Sequence, residues 1–351
     1  MTAPPITRSL LARLPKAELH CHLDGSVRPA TMLELARDHH VRMPRDDADA
    51  LRDFMLVRDA RNLEEYLERF EVTLSVMQTA EALERIAYEL AEDAANEGVR
   101  YIEVRYAPVL NVRHGLSLAQ VVEAPLRGLA RAERDRGIVG RVIVTALRNL
   151  APETSLQLAR LAVEHHGSGV VGFDLAGGEM GNPASEHAAA FRHAHDHGLP
   201  CTCHAGKGDG AGSVHDAVHG VCAQRIGHAT RMIEDPVLTQ YVNDRRIALE
   251  ICLTSNVQTR VAEDYAHHPL RTYFDQGLNV VLNTDNRLMS GVGLVDEYEV
   301  AARTFGFGFD ELARIALNGF ESAFLPEQER RVLLSRAQAD IAALRRGNGA
   351  P

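Results

Sequence analysis

Eight short, β-rich apolar runs recur along this 351-residue chain, each separated from the next by helix-like sequence and turn residues. They are AELHCHL (17–23), VRYIEVRYAP (99–108), GRVIVTALRN (140–149), VVGFDLAGG (170–178), LPCTCHAG (199–206), RIGHA (225–229), IALEICLTSN (247–256) and LNVVLNTDN (278–286). Several are apolar at successive positions, as strands of a parallel sheet covered by helices must be. The intervening segments 117–137, 155–166, 184–198 and 269–277 read as helices, several ending on a glycine suited to a C-cap. Repeated βα units predict one (β/α)8 barrel domain over residues 1–351. A doubly wound open sheet is the alternative, but that fold usually opens with a glycine-rich phosphate turn, and none follows the first run.

Residues 24–98 are too many for one crossover. They predict an insertion of extra helices, PATMLELARDHH and EEYLERFEVTLSVMQ among them, lying over the C-terminal mouth where barrels keep their active sites. Residues 310–351 predict terminal helices packed outside the barrel. A net charge of −10 with no sustained basic run argues against a nucleic-acid partner and for a small molecule. Five cysteines without a CxxC pair, an N-terminal segment without a long apolar centre, and no bilayer-length apolar run predict a cytoplasmic protein with no membrane partner. Nothing in the sequence specifies an oligomeric state.

Polar residues gather where the predicted strands end. His20 and His22 stand at i and i+2 and so share a face of the first strand, the fifth strand delivers His204, the sixth His228 and the eighth Asp285. Imidazoles and a carboxylate converging from four strands suit Zn²⁺ with a position left open for water. The HxH pair taken alone reads equally well as strand packing. His187, His193, His195 and His197 lie along one helix and read as a solvated face, as do the doublets His39–His40, His165–His166 and His267–His268. Cys201 and Cys203 read as buried packing. The run HAGKG fails as a phosphate loop, because Cys201 and Gly208 occupy the places of the required glycine and of the Ser or Thr.

The segments AELHCHLDGSVRP, VVGFDLAGGE, CHAGK, RIGHA and VVLNTDN resemble, in order and spacing, the signature segments of the adenosine deaminase family of zinc aminohydrolases, and the likeness runs from about Pro15 to about Leu325. The resemblance implies one Zn²⁺ held by His20, His22, His204 and Asp285. It implies that Asp24 bonds a ribose 5′-hydroxyl, where relatives acting on the free base tend to carry Glu. It further implies that the Gly177 N–H meets purine N3 and that His228 orients and deprotonates the attacking water, with His22 also at the substrate. The reaction implied is hydrolytic deamination of adenosine or 2′-deoxyadenosine: water adds at C6 and ammonia leaves.

Three positions depart from the family pattern. Asn286 stands where many members carry a second Asp at purine N7; an amide supplies an N–H donor there, and bacterial members share NTDN. Ala229 replaces a usual glycine. Lys207 replaces the glutamate of HAGE, the group that passes a proton to N1 as C6 is attacked, and it is one of only two lysines in the chain. Losing a positioned general acid costs on the order of 10²–10⁴-fold in rate. Three readings follow: a deaminase with a weakened acid, an enzyme that uses Lys207 on a modified purine nucleoside, or a silent protein that binds zinc and nucleoside.

Overall fold

A computed structural model describes residues 5–57 and 69–347. Its strands are β1 Lys16–His22, β2 Val99–Tyr106, β3 Val139–Leu147, β4 Val170–Ala176, β5 Thr202–Ala205, β6 Arg225–His228, β7 Ala248–Ile251 and β8 Val280–Leu282. Parallel ladders run in the order β1-β2-β3-β4 and β5-β6-β7-β8. Isolated parallel bridges link the two sets, Phe173 with Cys201 between β4 and β5, and Cys21 with Asp285 between β1 and the segment after β8. The architecture is the (β/α)8 barrel that the repeated runs predict.

The helices follow from their apolar stripes. In Ala80–Asn96, Leu83, Ile86, Ala87, Leu90, Ala91 and Ala94 recur at helical spacing and are buried. Its neighbour Leu118–Arg136 begins with a capping box between Ser117 and Gln120 and stops at Gly137, whose φ of 71° is the left-handed conformation a C-cap requires. Burying one Leu or Ile of such a stripe contributes about 1.5–3 kcal/mol. The 24–98 segment includes helices Pro29–Asp38, Ala48–Met55 and Phe70–Leu74. The 64–68 part of the predicted EEYLERFEVTLSVMQ helix lies outside the described residues. Helices Phe309–Ser322 and Glu327–Arg345 close the chain.

Some predicted elements run shorter, the 278–286 run being strand only over Val280–Leu282 and the 64–78 helix ending at Leu74, and two differ in kind. The run 247–256 is strand only to Ile251; Leu253–Gln258 is a short helix, because the Glu297 carboxylate accepts from Leu253 N (2.7 Å) and Thr254 N (3.2 Å) and starts a helical turn at the barrel rim. The segment 184–198 is a 3₁₀ turn, Ala184–His187, followed by the α-helix Ala188–Asp196.

Strand β1 also carries a bulge. Its pairing with β2 steps from Glu18↔Ile102 to Cys21↔Val104, one extra residue on β1, and Asn283 Oδ1 accepts from both Leu19 N (2.7 Å) and His20 N (3.1 Å). Ala17 and Leu19 pack with Tyr101 and Val281, whereas Cys21 belongs to the core under the helices.

Candidate metal and substrate site

Charged side chains fill the barrel interior beneath the strand ends. Arg225 pairs with Glu103 and with Glu250 (2.8 Å), and Arg105 with Glu250 (2.9 Å), Asp174 (3.4 Å) and the Leu19 carbonyl. All five ionic groups are buried. Burial alone would raise Glu250 and Asp174, but Arg105 and Arg225 hold Glu250, and His204 and Arg105 hold Asp174, below the usual carboxylate range. Removing one member of such a network typically costs about 3–5 kcal/mol, because it strands a buried charge.

That layer aims the histidines above it. His20 Nδ1 donates to Glu250 Oε2 (2.9 Å) and His204 Nδ1 to Asp174 Oδ1 (3.1 Å), which leaves both Nε2 lone pairs bare. His204 Nε2 lies 3.2 Å from His22 Nε2, and Asp285 Oδ1 lies 3.3 Å from both His20 Nε2 and His22 Nε2. Neighbouring donors at 2.0–2.1 Å from one Zn²⁺ stand about 3–3.5 Å apart, so these spacings fit the ion. His20 Nε2 is buried with no hydrogen-bond partner, a lone pair that only a cation or a proton can satisfy. Burial holds His22 and His204 neutral, as metal ligation requires.

The other carboxylate oxygen of Asp285 faces different groups. Ser255 Oγ donates to Oδ2 at 2.6 Å, Lys207 Nζ lies 3.4 Å from Oδ2 and 3.1 Å from Ser255 Oγ, and His228 Nε2 is 3.9 Å from Oδ2 and 3.5 Å from Lys207 Nζ. Burial would raise Asp285, but Lys207 and the surrounding histidines hold it well below its ordinary value. Burial, then Lys207, lowers His228. His20, His204, His228 and Asp285 form the cluster able to hold an ion among the described residues, and His22 stands against it at the distances above. Of these histidines, His20 and His22 approach Oδ1 and His228 approaches Oδ2.

A cavity of about 210 Å³ opens over these groups, lined by His22, Asp24, Gly177, His204, Lys207, His228, Asp285 and Asn286, together with Phe70, Glu71 and Leu74 from the long segment after β1. Every expected site residue except His20 therefore borders one space. Asp24 Oδ1 and Asn286 Oδ1 are buried without partners. Burial pushes the Asp24 carboxyl up to about 7. Gly177 has φ +99°, a conformation L side chains rarely adopt. His228, Ala229 and Asp285 adopt left-handed backbone without being glycine. A larger cavity, about 550 Å³, lies at the opposite end of the barrel between the starts of β3 and β4 and residues 323–330, but gathers no ion-binding cluster.

Several contributing residues escape the strand-end pattern. Ser255 and Asn256 lie on the short helix read as strand. Glu179 accepts from Lys207 N (3.1 Å), Asp209 N (3.1 Å) and Ser213 Oγ (2.8 Å), and so fixes the loop that carries Lys207. Glu250, Asp174 and Arg105 are charges inside the strand-like runs. His187, expected on a solvated face, is buried, with Nδ1 on Ser155 Oγ (2.8 Å) and Nε2 facing the Arg148 carbonyl (3.3 Å). His268, also read as solvated, is buried, and its ring bonds Asn256 Oδ1 (3.1 Å). Cys201 and Cys203 are buried packing, as read.

The family model described as "Adenosine deaminase" matches residues 15–340. The adenosine deaminase of Mycobacterium avium (strain 104) is 39% identical over 356 aligned positions, covering 95% of this chain and 96% of that one. Among solved structures, an amidohydrolase from Burkholderia ambifaria with bound Zn superposes with a TM-score of 0.87 at 27% identity, covering 100% of this chain and 97% of its own. The Arabidopsis ADAL protein complexed with IMP superposes at 0.84 and 27% identity, covering 95% and 98%.

Proposed function

Since the chain belongs to the adenosine deaminase family of hydrolytic aminohydrolases, we propose that it deaminates adenosine or 2′-deoxyadenosine with one Zn²⁺, at a rate limited by Lys207 in the proton-transfer position. The observation that carries the reading is the set of lone pairs on His20, His22 and His204 around Asp285 Oδ1, 3.2–3.3 Å apart. When bound, Zn²⁺ supplies the Lewis acidity that makes water a nucleophile near neutral pH.

The chain's own residues do the rest. Asp24, with an unpartnered carboxylate oxygen, accepts from the ribose 5′-hydroxyl. The Gly177 N–H meets N3 and the Asn286 amide donates to N7. His228, beside Asp285 Oδ2, orients the attacking water. Lys207 occupies the place from which N1 receives its proton. Among the described residues the cavity lining carries Asp24, Glu71 and Glu179 and, beside Lys207, no arginine, which favours an uncharged nucleoside over a 5′-phosphate. Helices of the 24–98 insertion, through Phe70, Glu71 and Leu74, cover the barrel mouth. No helix among the described residues is long and apolar enough to cross a membrane. Five free cysteines support a reducing cytoplasm as the working compartment.

One observation favours a second reading. Lys207 Nζ is already engaged with Ser255 and Asp285 Oδ2, as in a protein that keeps the pocket without turnover. Adenosine loss followed by absorbance, in metal-stripped, zinc-loaded and Lys207→Glu protein, separates the two. Deamination is expected only with zinc, and much faster in the Glu variant. Equal rates in both proteins would overturn the account of position 207, and full activity without zinc would overturn the metal assignment. Nucleoside binding with no turnover by either protein would establish the silent reading.

A further inference from the structure

A chain of hydrogen bonds reaches His228 from a backbone group 42 positions away whose role is not open to choice. The Leu270 amide can only donate, and it lies 3.1 Å from His268 Nδ1. That nitrogen must therefore be bare. Burial lowers His268 to about 3, so the ring is neutral and carries its single proton on Nε2. His268 Nε2 is 3.1 Å from Asn256 Oδ1, which accepts that proton. The amide nitrogen Asn256 Nδ2 then faces His228 Nδ1 at 3.1 Å and donates to it.

We infer that Asn256 and His268 are positioning residues that fix His228 in the tautomer protonated on Nε2. Turning the Asn256 amide over would set its NH₂ against the His268 N–H and break that bond. His228 and Asn256 are fully buried and His268 is 3% exposed, so water cannot compensate. A neutral His228 thus presents an N–H, not a lone pair, to the space shared by Lys207 Nζ (3.5 Å) and Asp285 Oδ2 (3.9 Å). Lys207 as an ammonium cannot accept that N–H, so Nε2 is left to donate to a water or substrate atom in the cavity that His228 lines, and it cannot take a proton from water. This consequence for the reaction rests on the deaminase reading; the tautomer itself is measurable without turnover.

The test is long-range ¹H–¹⁵N correlation spectroscopy on histidine-labelled, zinc-free and zinc-loaded protein, with the His228 signals assigned by their loss in His228→Gln. The expected native spectrum shows His228 with Nε2 protonated and Nδ1 bare. In His268→Phe the Asn256 amide is freed, and a population protonated on Nδ1 should appear. Asn256→Leu should do the same by removing the amide at similar volume. His268→Gln, whose amide offers both a donor and an acceptor, should restore the native pattern. In catalysis, His268→Phe is expected to lower kcat by roughly tenfold or more, with KM within about threefold and recovery in His268→Gln. A native His228 protonated on Nδ1, or a His268→Phe spectrum identical to native, overturns the inference. The native spectrum decides the tautomer even if a variant does not fold.

Discussion

The two oxygens of Asp285 face regions built by different means. On the Oδ1 side, His20 and His204 are each gripped from below by a buried carboxylate, and those carboxylates by Arg105 and Arg225. That half rests on strand residues. On the Oδ2 side, Lys207 sits in a loop tied down by Glu179, and Ser255 and Asn256 ride a two-turn helix pinned by Glu297. The proposed metal half carries the residues that the family resemblance implies, while the proton-handling half carries Lys207 where the resemblance implies Glu. A group that several buried partners hold cannot change alone, whereas a loop residue reaching into a cavity can.

Lys207→Glu tests this contrast most strongly. It is expected to raise kcat by on the order of 10²–10⁴-fold while zinc content, measured by elemental analysis, stays the same; a loss of zinc would show that the halves are not separable. On the other side, Glu250→Gln and Asp174→Asn should each weaken zinc affinity about 10–100-fold in a chelator competition, because each frees the ring of one histidine. Unchanged affinity would remove the carboxylate layer from the account. A pH scan probes the helix that carries Ser255 and Asn256. Burial raises the Glu297 carboxyl to about 8 from an unfolded value near 4.5. The folded state binds this proton more tightly, so its contribution to stability is complete below about 4.5 and lost as pH rises through about 8. The melting temperature of Glu297→Gln should therefore depend less on pH across that interval than that of the native chain. The smallest effect is expected from Ala229→Gly. Relief of left-handed backbone, about 1 kcal/mol, is offset by loss of a buried methyl worth a similar amount, so denaturant unfolding should shift by less than about 1 kcal/mol.

The barrel was legible because strands buried on both faces read as apolar runs, and the site because four of those runs carry a histidine or aspartate near their ends, His204 and His228 among them. Periodicity fails where the backbone departs from its period. Simple alternation puts His20 and His22 on the face of Glu18, but the bulge after Glu18 inserts a residue, and Leu19 packs inward with Tyr101. Residues 253–256 read as strand, since the Glu297 carboxyl group that starts their helix lies more than 40 residues on. His268 looked solvated beside His267, because only the fold brings Asn256 to its ring. Glu103, Arg105, Asp174, Arg225 and Glu250 are different: charges inside strand-like runs are visible in the sequence, and their burial follows once the strands close a barrel.

The bonds that close the barrel between β1 and the end of β8 also decide when a site can exist. His22 N donates to the Asp285 carbonyl (2.7 Å) and Asp285 N to the His20 carbonyl (3.0 Å), so the residues that seal the hoop carry the converging side chains. In sequence, 263 residues separate His20 from Asn283 beside this joint. Bringing ends so far apart together costs about 5 kcal/mol of loop-closure entropy, the largest such cost of any neighbouring strand pair here. An ion held by both ends, as proposed, would act as a clasp, stabilising the closed hoop by its binding free energy. Stripping it should loosen the first and last strands before the middle ones, and a nascent chain cannot bind it until the eighth strand has left the ribosome.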